Sequence, residues 1–250
     1  MRDSISRENM KSKNIPEKLT IIFPAFNEDD VIVKTIEDAI KTLDRMTYRW
    51  EIIIVDNAST DNTGKIADDL AQKLEGVRVV HHPANLLYAM STRTGYQQAD
   101  GDIIFVIDSD GQYRANDIEN FIEKIGDGYD IVYGWRRRRR DPLLRLFITY
   151  VLNLLARFLL ESSLHDINCG FRAVKREVAK NIEIRHKVNA VGPEIWVRAK
   201  KKGYKVGEIP IAHLPRESGK SIHDFWRLPG AIAKFIRYLW ALRNELRRSV

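Results

Sequence analysis

The chain has 250 residues, enough for one large domain or one domain with a modest extension, and 44% of them are hydrophobic, which excludes a disordered protein. The formal net charge of +7 conceals a split between the two halves. Residues 1–133 carry 15 Lys and Arg against 24 Asp and Glu, a net charge of −9, whereas residues 134–250 carry 26 against 10, a net charge of +16. A uniformly basic nucleic-acid-binding protein is therefore disfavoured, and we expect the halves to contact different partners.

The cysteine content and the apolar segments limit the cellular compartments that suit this chain. The single cysteine, Cys169, excludes an internal disulfide framework and a cysteine-rich zinc module, and it suits a reducing compartment. The polar N-terminus contains no apolar segment typical of a secretory signal. The most apolar stretch, residues 143–160, contains Arg145 and Arg157, which are costly inside a bilayer, so no membrane span is predicted.

Short apolar segments alternate with helical patterns through the first half of the chain. Strands are predicted at residues 19–24, 51–56, 77–82, 102–108 and 130–134. Helices are predicted at about 28–45, from a cap at 59–61 to 74, at 87–99 and at 116–125. This alternation predicts an α/β fold with a mostly parallel central sheet, and the near-continuous apolar strands indicate that helices cover both faces.

The alternation stops near residue 134. Five consecutive arginines precede a long apolar helix at 143–160, and a loop that includes residues 165–170 follows. A helix at 191–202, a strand at 206–212 and an amphipathic helix or helix pair at 225–248 with a kink at 229–230 complete the prediction. We expect a polar extension (1–18), one domain with an acidic half (19–134) and a basic half (135–222), and a C-terminal amphipathic helix (223–250).

Acidic residues recur where predicted strands end. These residues are Glu28, Asp56, Asp108 and Asp110. Ligands of open α/β sheets bind at the carboxyl edge of the strands, so we expect these side chains on one rim. Asp108 and Asp110 are two residues apart after a buried strand, so both can face one Mg²⁺ or Mn²⁺ ion, and Gln112 adds a neutral oxygen. The sequence therefore predicts a divalent-metal site at Asp108, Asp110 and Gln112.

The motifs around these residues resemble family 2 glycosyltransferases with the GT-A fold. The resemblance is strongest to the dolichol-phosphate mannose synthase and polyprenyl-phosphate glycosyltransferase branch and covers about residues 19–222. The motifs are IIFPAFNE (21–28), IIIVDNASTDNT (52–63), ADGDIIFVIDSDGQ (99–112), DIVYGWR (130–136), DINCGFRAVKRE (166–177) and PRESGKS (215–221). Two departures lie beside the expected donor pocket: Asn57, where the family usually has a second acid, and residues 85–89, where glycines are usual.

This resemblance implies inverting, metal-dependent transfer of a hexose from GDP-mannose, UDP-glucose or another UDP-hexose to polyprenyl or dolichyl phosphate. The expected nucleotide-pocket residues are Pro24, Ala25, Phe26, Asn27, Glu28, Asp56, Asn57, Asp108 and Ser109. The expected catalytic and phosphate-binding residues are Asp110, Arg136, Arg172, Glu194, Arg216 and Lys220. A bound divalent cation would stabilise the charge that develops on the departing diphosphate.

The acceptor separates this function from its alternatives. A lipid phosphate is already anionic and needs cations, which the basic half supplies. A glycan hydroxyl would instead need a general base, and Glu194 lies where related enzymes acting on hydroxyls carry one; the other interpretation of Glu194 is a charge on the first helical turn after Pro193. A non-catalytic, membrane-associated nucleotide-sugar-binding protein is the third hypothesis.

The last predicted helix mixes aromatic and basic residues, which favours a helix lying on a membrane surface over one packed on the domain or on a second subunit. Residues 143–160 fit membrane contact and burial equally. We therefore predict peripheral attachment to the cytoplasmic face of a membrane and no nucleic-acid partner. The sequence leaves the oligomeric state open.

Overall fold

The structure is a computed structural model that describes residues 16–137, 143–215 and 229–248. Its described strands are β1 (Lys18–Ala25), β2 (Arg49–Asp56), β3 (Val77–His81), β4 (Ile103–Val106), β5 (Ile131–Arg136), β6 (Arg172–Lys175) and β7 (Val206–Ile211). Its described α-helices are α1 (Ile32–Leu43), α2 (Thr63–Lys73), α3 (Tyr88–Gln98), α4 (Ile118–Gly126), α5 (Leu143–Leu160), α6 (Arg176–Asn181), α7 (Gly192–Lys201) and α8 (Pro229–Arg247). The strands form one sheet in the order β3-β2-β1-β4-β6-β5-β7.

The first half of the sheet has the predicted parallel arrangement. β1 pairs in parallel with β2 and with β4, and β2 pairs in parallel with β3. Successive residues of β1 point to opposite faces, so Ile21 packs with α1 on one side and Ile22 packs with α3 on the other. Burial on both faces explains why these strands read as continuous apolar runs.

The second half of the sheet contains a strand that the sequence does not predict. β6 lies antiparallel between β4 and β5, and β5 pairs in parallel with β7. Its four residues mix two cations with two apolar residues, a pattern too short to indicate a strand. The register pairs Arg172 with Val106 of β4 and with Tyr133 of β5, so Arg172 lies at the carboxyl edge of both neighbours.

The end of the fourth strand and the start of the second helix differ from the predicted boundaries, and both lie near the rim of the sheet. The fourth strand ends at Val106 and not at residue 108, so Asp108 stands in the turn beyond it. The second helix begins at Thr63, whose backbone N–H donates to Asp61 Oδ1 at 2.9 Å.

The C-terminal helix packs on the protein along one face. Four of its apolar side chains are buried in the core cluster shared with α5 and α7: Phe235, Tyr238, Leu239 and Leu242. The first residues of the predicted helix, 225–228, lie outside the described residues, so the kink predicted at 229–230 stays a prediction. Packing on the domain, one of the two interpretations of this helix, therefore describes that face, while Trp240 on the opposite side is exposed. None of the helices in the described segments has both the length and the apolar character needed to cross a bilayer.

Candidate active site

A cavity of about 460 Å³ opens at the carboxyl edge of the sheet. We call one part of its lining the acidic side, which consists of Pro24, Ala25, Phe26, Glu28, Asn57, Asn85, Asp108, Ser109 and Asp110. We call another part the basic side, which consists of Thr149, Leu152, Asn153, residues 187–192, Lys234, Phe235 and Tyr238. Arg136 and Arg172, on strands of the second half, also line the cavity, so the oppositely charged halves of the chain meet in one space.

Three loops that follow β1, β2 and β4 build the acidic side. They are joined by hydrogen bonds: the Asn57 N–H donates to the Ala25 carbonyl at 2.9 Å, and the Ser109 hydroxyl donates to the Pro24 carbonyl at 2.8 Å. Since parallel strands deliver their carboxyl ends to one edge, the predicted rim of acidic residues follows directly from the apolar strands that precede it.

The carboxylate of Asp108 is held in place by a glycine. A Cβ atom at Gly170 would lie 1.8 Å from Asp108 Oδ2, so only glycine leaves room for this carboxylate. Asp108 Oδ1 is buried and has no hydrogen-bond partner among the described residues. Asp110, also on the cavity, accepts the Gln112 backbone N–H at 3.1 Å. An unsatisfied buried carboxylate oxygen beside a second carboxylate fits a hard divalent cation.

No group of three His, Cys, Asp or Glu side chains in the described segments forms a ready-made metal site. Any cation at Asp108 and Asp110 would therefore take its other ligands from water or from substrate phosphates, as Mg²⁺ commonly does. Gln112, the predicted third ligand, is not among the residues that line the cavity, and its Nε2 donates to the Leu214 carbonyl at 3.0 Å. This bond does not engage its Oε1 atom, through which a glutamine binds a metal, so the role of Gln112 as a ligand stays a prediction.

Asp56 lies next to the cavity and not in its wall. One oxygen accepts the Ser59 N–H at 3.1 Å, and the other lies 3.0 Å from His81 Nδ1. The His81 Nε2 atom lies 3.0 Å from Asp68 Oδ1. Hydrogen bonds to Asp68 and to Asp56 raise the pKa of His81, so the imidazolium form is favoured between these two carboxylates.

Asn27 also lies outside the cavity lining. Its backbone has φ 56°, its N–H donates to the Ser59 hydroxyl at 3.1 Å, and its Oδ1 accepts the Thr60 N–H at 2.8 Å. Asn27 therefore fastens the loop after β1 to the loop after β2, and its contact with the nucleotide stays a prediction.

Arg136 is anchored by a carboxylate. Its Nε and Nη2 atoms donate to the two oxygens of Asp166 at 2.6 and 2.9 Å, a bidentate pair that is almost fully buried. Burial acts to lower the pKa of Arg136, but the Asp166 carboxylate outweighs it and the pKa is raised. Of the two arginines of the run that the structure describes, Arg136 lines the cavity and Arg137 does not, while residues 138–140 lie outside the described residues. A contact of Arg136 with substrate stays a prediction.

Arg172 is a buried cation surrounded by phenols. Its Nη1 donates to the Cys169 carbonyl at 3.3 Å and its Nη2 to the Tyr88 hydroxyl at 3.4 Å, while its Nε has no partner among the described residues. The guanidinium lies 5.9 Å from the ring centres of Tyr88 and Tyr133. Burial raises the pKa of both tyrosines, so neutral rings surround a permanent positive charge.

Glu194 does not line the cavity and is fully buried. Its two oxygens accept the backbone N–H groups of Arg185 and His186 at 2.9 and 3.1 Å, and Arg198 donates to it at 3.2 Å. A carboxylate with these bonds holds the wall segment before α7 and cannot meet a substrate hydroxyl. The expectation of Glu194 as a base is therefore corrected in favour of its structural interpretation.

Two lysines on the basic side were not predicted. Lys187 and Lys234 line the cavity, are exposed, and make no ion pair with any described residue. Their positions depend on how the segment before α7 and the helix α8 pack, which no local motif encodes. Arg216 and Lys220, which the resemblance marks as phosphate contacts, lie outside the described residues.

Comparison with known proteins agrees with this geometry. The chain is 28% identical over 213 residues to an undecaprenyl-phosphate 4-deoxy-4-formamido-L-arabinose transferase from Proteus mirabilis, covering 84% of this chain and 64% of that protein. The chain thus spans less than two thirds of the length of this curated relative. The resemblance to the polyprenyl-phosphate branch is confirmed at the level of sequence.

Two solved structures share the fold. Glucosyl-3-phosphoglycerate synthase from Mycobacterium tuberculosis, in complex with Mn²⁺, UDP-glucose and phosphoglyceric acid, matches with a TM-score of 0.69 and 18% identity over 94% of this chain and 81% of that one. A mannosyltransferase from Pyrobaculum calidifontis, in complex with GDP-mannose and Mn²⁺, matches with a TM-score of 0.62 and 17% identity over 97% and 79%. The predicted GT-A fold is confirmed. The family model described as glycosyl transferase family 2 matches residues 20–183, well over half of the chain, and the protein is therefore a member of glycosyl transferase family 2.

Proposed function

We propose that the protein transfers a hexose from a nucleotide diphosphate sugar to a polyprenyl phosphate, with inversion at the anomeric carbon. The observation that carries this proposal is a cavity that has Asp108 and Asp110 on its acidic side and, on its basic side, Lys187 and Lys234, which form no ion pair with any residue that the structure describes. The family membership and the names of the sequence relatives support the same chemistry.

The acidic side is suited to the donor diphosphate. A Mg²⁺ or Mn²⁺ ion at Asp108 and Asp110 would offset the negative charge that develops on the diphosphate as the bond to the sugar breaks. Gly170 leaves the space that Asp108 occupies, and the Ser109 hydroxyl anchors the loop between the two carboxylates to the Pro24 carbonyl. The loop that carries both carboxylates is therefore anchored before substrate arrives, which limits the reorganisation needed during the reaction.

The basic side is suited to an acceptor that is already ionised. Lys187 and Lys234 on this side, together with Arg172 of β6 in the same cavity, provide positive charge from three separate parts of the chain. Burial raises the pKa of Tyr88 and raises that of Cys169 to about 12, so neither group accepts or releases a proton near neutral pH. A phosphate nucleophile needs no base but must be drawn toward an anionic donor, and these cations would reduce that repulsion.

The test is a transfer assay. The protein is incubated with Mn²⁺ or Mg²⁺, a short polyprenyl phosphate and each of UDP-glucose, UDP-N-acetylglucosamine and GDP-mannose, and lipid-linked sugar is measured by mass spectrometry. We expect product with at least one donor, an inverted anomeric centre by NMR, and no product with Asp110→Asn. Transfer to a glycan hydroxyl but not to the lipid phosphate would overturn the acceptor assignment.

Lys234 and Arg237 form a matched pair for the acceptor. Both are exposed cations on α8, but only Lys234 lines the cavity. We expect Lys234→Gln to raise the KM for polyprenyl phosphate about 10-fold, since one charge-assisted phosphate contact contributes roughly 1.5–3 kcal/mol. Arg237→Gln should leave this KM unchanged, and equal effects of both variants would show that bulk charge alone is responsible.

The outer face of α5 supports attachment to a membrane surface. Its exposed apolar side chains are Leu143, Leu144, Phe147, Tyr150, Val151, Leu154 and Phe158. Arg243 of α8 lies 6.0 Å from the Phe158 ring and 5.0 Å from the Trp240 ring, so cations border this face. An apolar stripe beside basic residues suits an anionic lipid surface, and we propose that it rests on the cytoplasmic face of a membrane.

The same helix connects this surface to the cavity, because Leu152 and Asn153 of α5 face inward while Tyr150 and Leu154 face outward. A lipid phosphate could therefore enter the cavity while its chain stays at the membrane. We expect Phe147→Glu to abolish co-flotation with phosphatidylglycerol vesicles and Val33→Glu, an exposed apolar site on α1, to leave it intact. A stable dimer that Phe147→Glu dissociates would assign the face to a second copy instead.

A further inference from the structure

Leu87 lines the cavity with a backbone conformation that is almost restricted to glycine. Its φ of 69° and ψ of 163° place it in a region where a Cβ atom crowds the backbone. Such strain persists only where the surrounding contacts determine the conformation, and it concentrates at functional sites. Leu87 is half-buried, directly precedes α3 and is one of the residues that line the cavity.

Side-chain amides hold Leu87 from the N-terminal side. Asn85 Oδ1 accepts the Leu87 N–H at 3.0 Å and the Asn57 Nδ2 group at 2.9 Å. Asn57 Oδ1 in turn accepts the Leu86 N–H at 2.9 Å and lies 3.0 Å from His82 Nδ1. An aspartate at position 57 could not donate to Asn85, so the amide at this position is needed for the chain of bonds.

Contacts on the C-terminal side hold the residue that follows. The Tyr88 N–H donates to Asn189 Oδ1 at 3.4 Å and the Ala89 N–H to the Val188 carbonyl at 2.9 Å. The Tyr88 hydroxyl accepts from Arg172. Leu87 is therefore fixed between Asn85 on the acidic side and Tyr88, whose neighbours belong to the basic side.

A glycine at this position would follow the same path without strain, so the side chain has a role that offsets the strain. We propose that Leu87 is a specificity-determining residue whose isobutyl group limits the space for the transferred sugar and excludes donors with a bulky substituent such as an acetamido group. The inference rests on the proposed sugar transfer. It deepens that function by assigning the donor class to hexoses without such substituents.

The test compares Leu87→Ala with Leu87→Gly. Both remove the isobutyl group, but only glycine relieves the strain. Glycine is already preferred to alanine at an ordinary helix N-cap, which is the position Leu87 occupies, so the order of the two melting temperatures alone does not test the strain. Because relief of the strain adds to that preference, we expect the glycine variant to melt higher than the alanine variant by roughly 4–16 °C. A difference smaller than about 4 °C would remove the strain argument.

Selectivity is measured as the ratio of kcat/KM for two donors that share a base: UDP-glucose with UDP-N-acetylglucosamine, and GDP-mannose with GDP-N-acetylmannosamine. We expect both variants to lose about 10-fold or more of the wild-type preference for the smaller sugar, because a difference of one methylene in a pocket changes selectivity by roughly 10–200-fold. Leu86→Ala, next in the chain but outside the cavity lining, should retain the preference.

The outcomes separate the two proposals. A wild-type protein that transfers sugar from none of these donors overturns the proposed function. A wild-type protein that is active, with Leu87→Ala and Leu87→Gly keeping its full preference, overturns the role of Leu87 alone.

Discussion

Replacing Gly170 by alanine tests whether the position of the Asp108 carboxylate, and not merely its presence, controls activity. The new Cβ would lie 1.8 Å from Asp108 Oδ2, whereas real Cβ contacts essentially never fall below 3.0 Å, so the carboxylate must move by at least about 1.2 Å. The obstructing atom is the far end of a side chain that borders a cavity, so it can rotate away at little cost in stability. A displacement of about 1 Å at a reacting centre lowers the rate about 100-fold, and we expect that loss in kcat/KM.

Gly192 provides the matched control. A Cβ there would lie 1.8 Å from the Ile167 carbonyl oxygen, which belongs to the backbone and cannot rotate away. We expect Gly192→Ala to lower the free energy of unfolding by about 1–3 kcal/mol, a fall in Tm of roughly 2–12 °C. Both variants are melted with and without Mn²⁺ and UDP or GDP, and turnover is measured in parallel. Wild-type turnover in Gly170→Ala, or a loss of Tm as large as that of Gly192→Ala, would refute the reasoning.

Three further predictions follow from burial and charge. Burial raises the pKa of Cys169 to about 12, so iodoacetamide at pH 8 should modify it in guanidinium chloride but not in the folded protein; rapid labelling of the native protein would contradict this. Arg136→Lys keeps the charge but loses the bidentate bond to Asp166. We expect a denaturant titration to show that the free energy of unfolding falls by about 1–3 kcal/mol. An unchanged denaturation midpoint would contradict this prediction. Burial lowers the pKa of His82 in the folded protein, so the contribution of His82 to stability is complete above the unfolded-state pKa of about 6.5 and is lost as the pH falls through the lower folded-state value. We therefore expect His82→Gln to flatten the acid side of a plot of Tm against pH. An unaltered slope would count against this prediction.

The parallel half of the fold could be predicted because each of its strands carries its own evidence. Ile52, Ile53 and Ile54 form an apolar run that needs helices on both faces, and the acidic residue that ends the run marks the carboxyl edge. The same logic predicts that Asp108 and Asp110 lie at the rim, and both line the cavity. Their binding of a metal stays a prediction.

The rest of the site depends on tertiary contacts that leave no local pattern. The Gln112 side chain donates to the Leu214 carbonyl, a contact between residues far apart in sequence that no motif around Gln112 indicates. Glu194 has the position of a base, yet two backbone N–H groups occupy its oxygens inside the core. Lys234 reaches the cavity only because α8 packs along α5, and nothing within α8 distinguishes it from Arg237.

β6 explains how the two oppositely charged halves come to share one cavity. Without it, β4 would end the acidic half and β5 would begin the basic half with no strand between them. Because β6 runs antiparallel to both, its first residue, Arg172, lies toward the carboxyl ends of its neighbours. It pairs with Val106, the last residue of β4 and two residues before Asp108. It also pairs with Tyr133 of β5, three residues before Arg136. An arginine at the start of a parallel strand would lie at the opposite edge of the sheet. The reversal of one four-residue strand therefore brings a buried cation beside the carboxylates, and the chain needs that proximity if one substrate is to bind metal on one side while an anionic acceptor is held on the other.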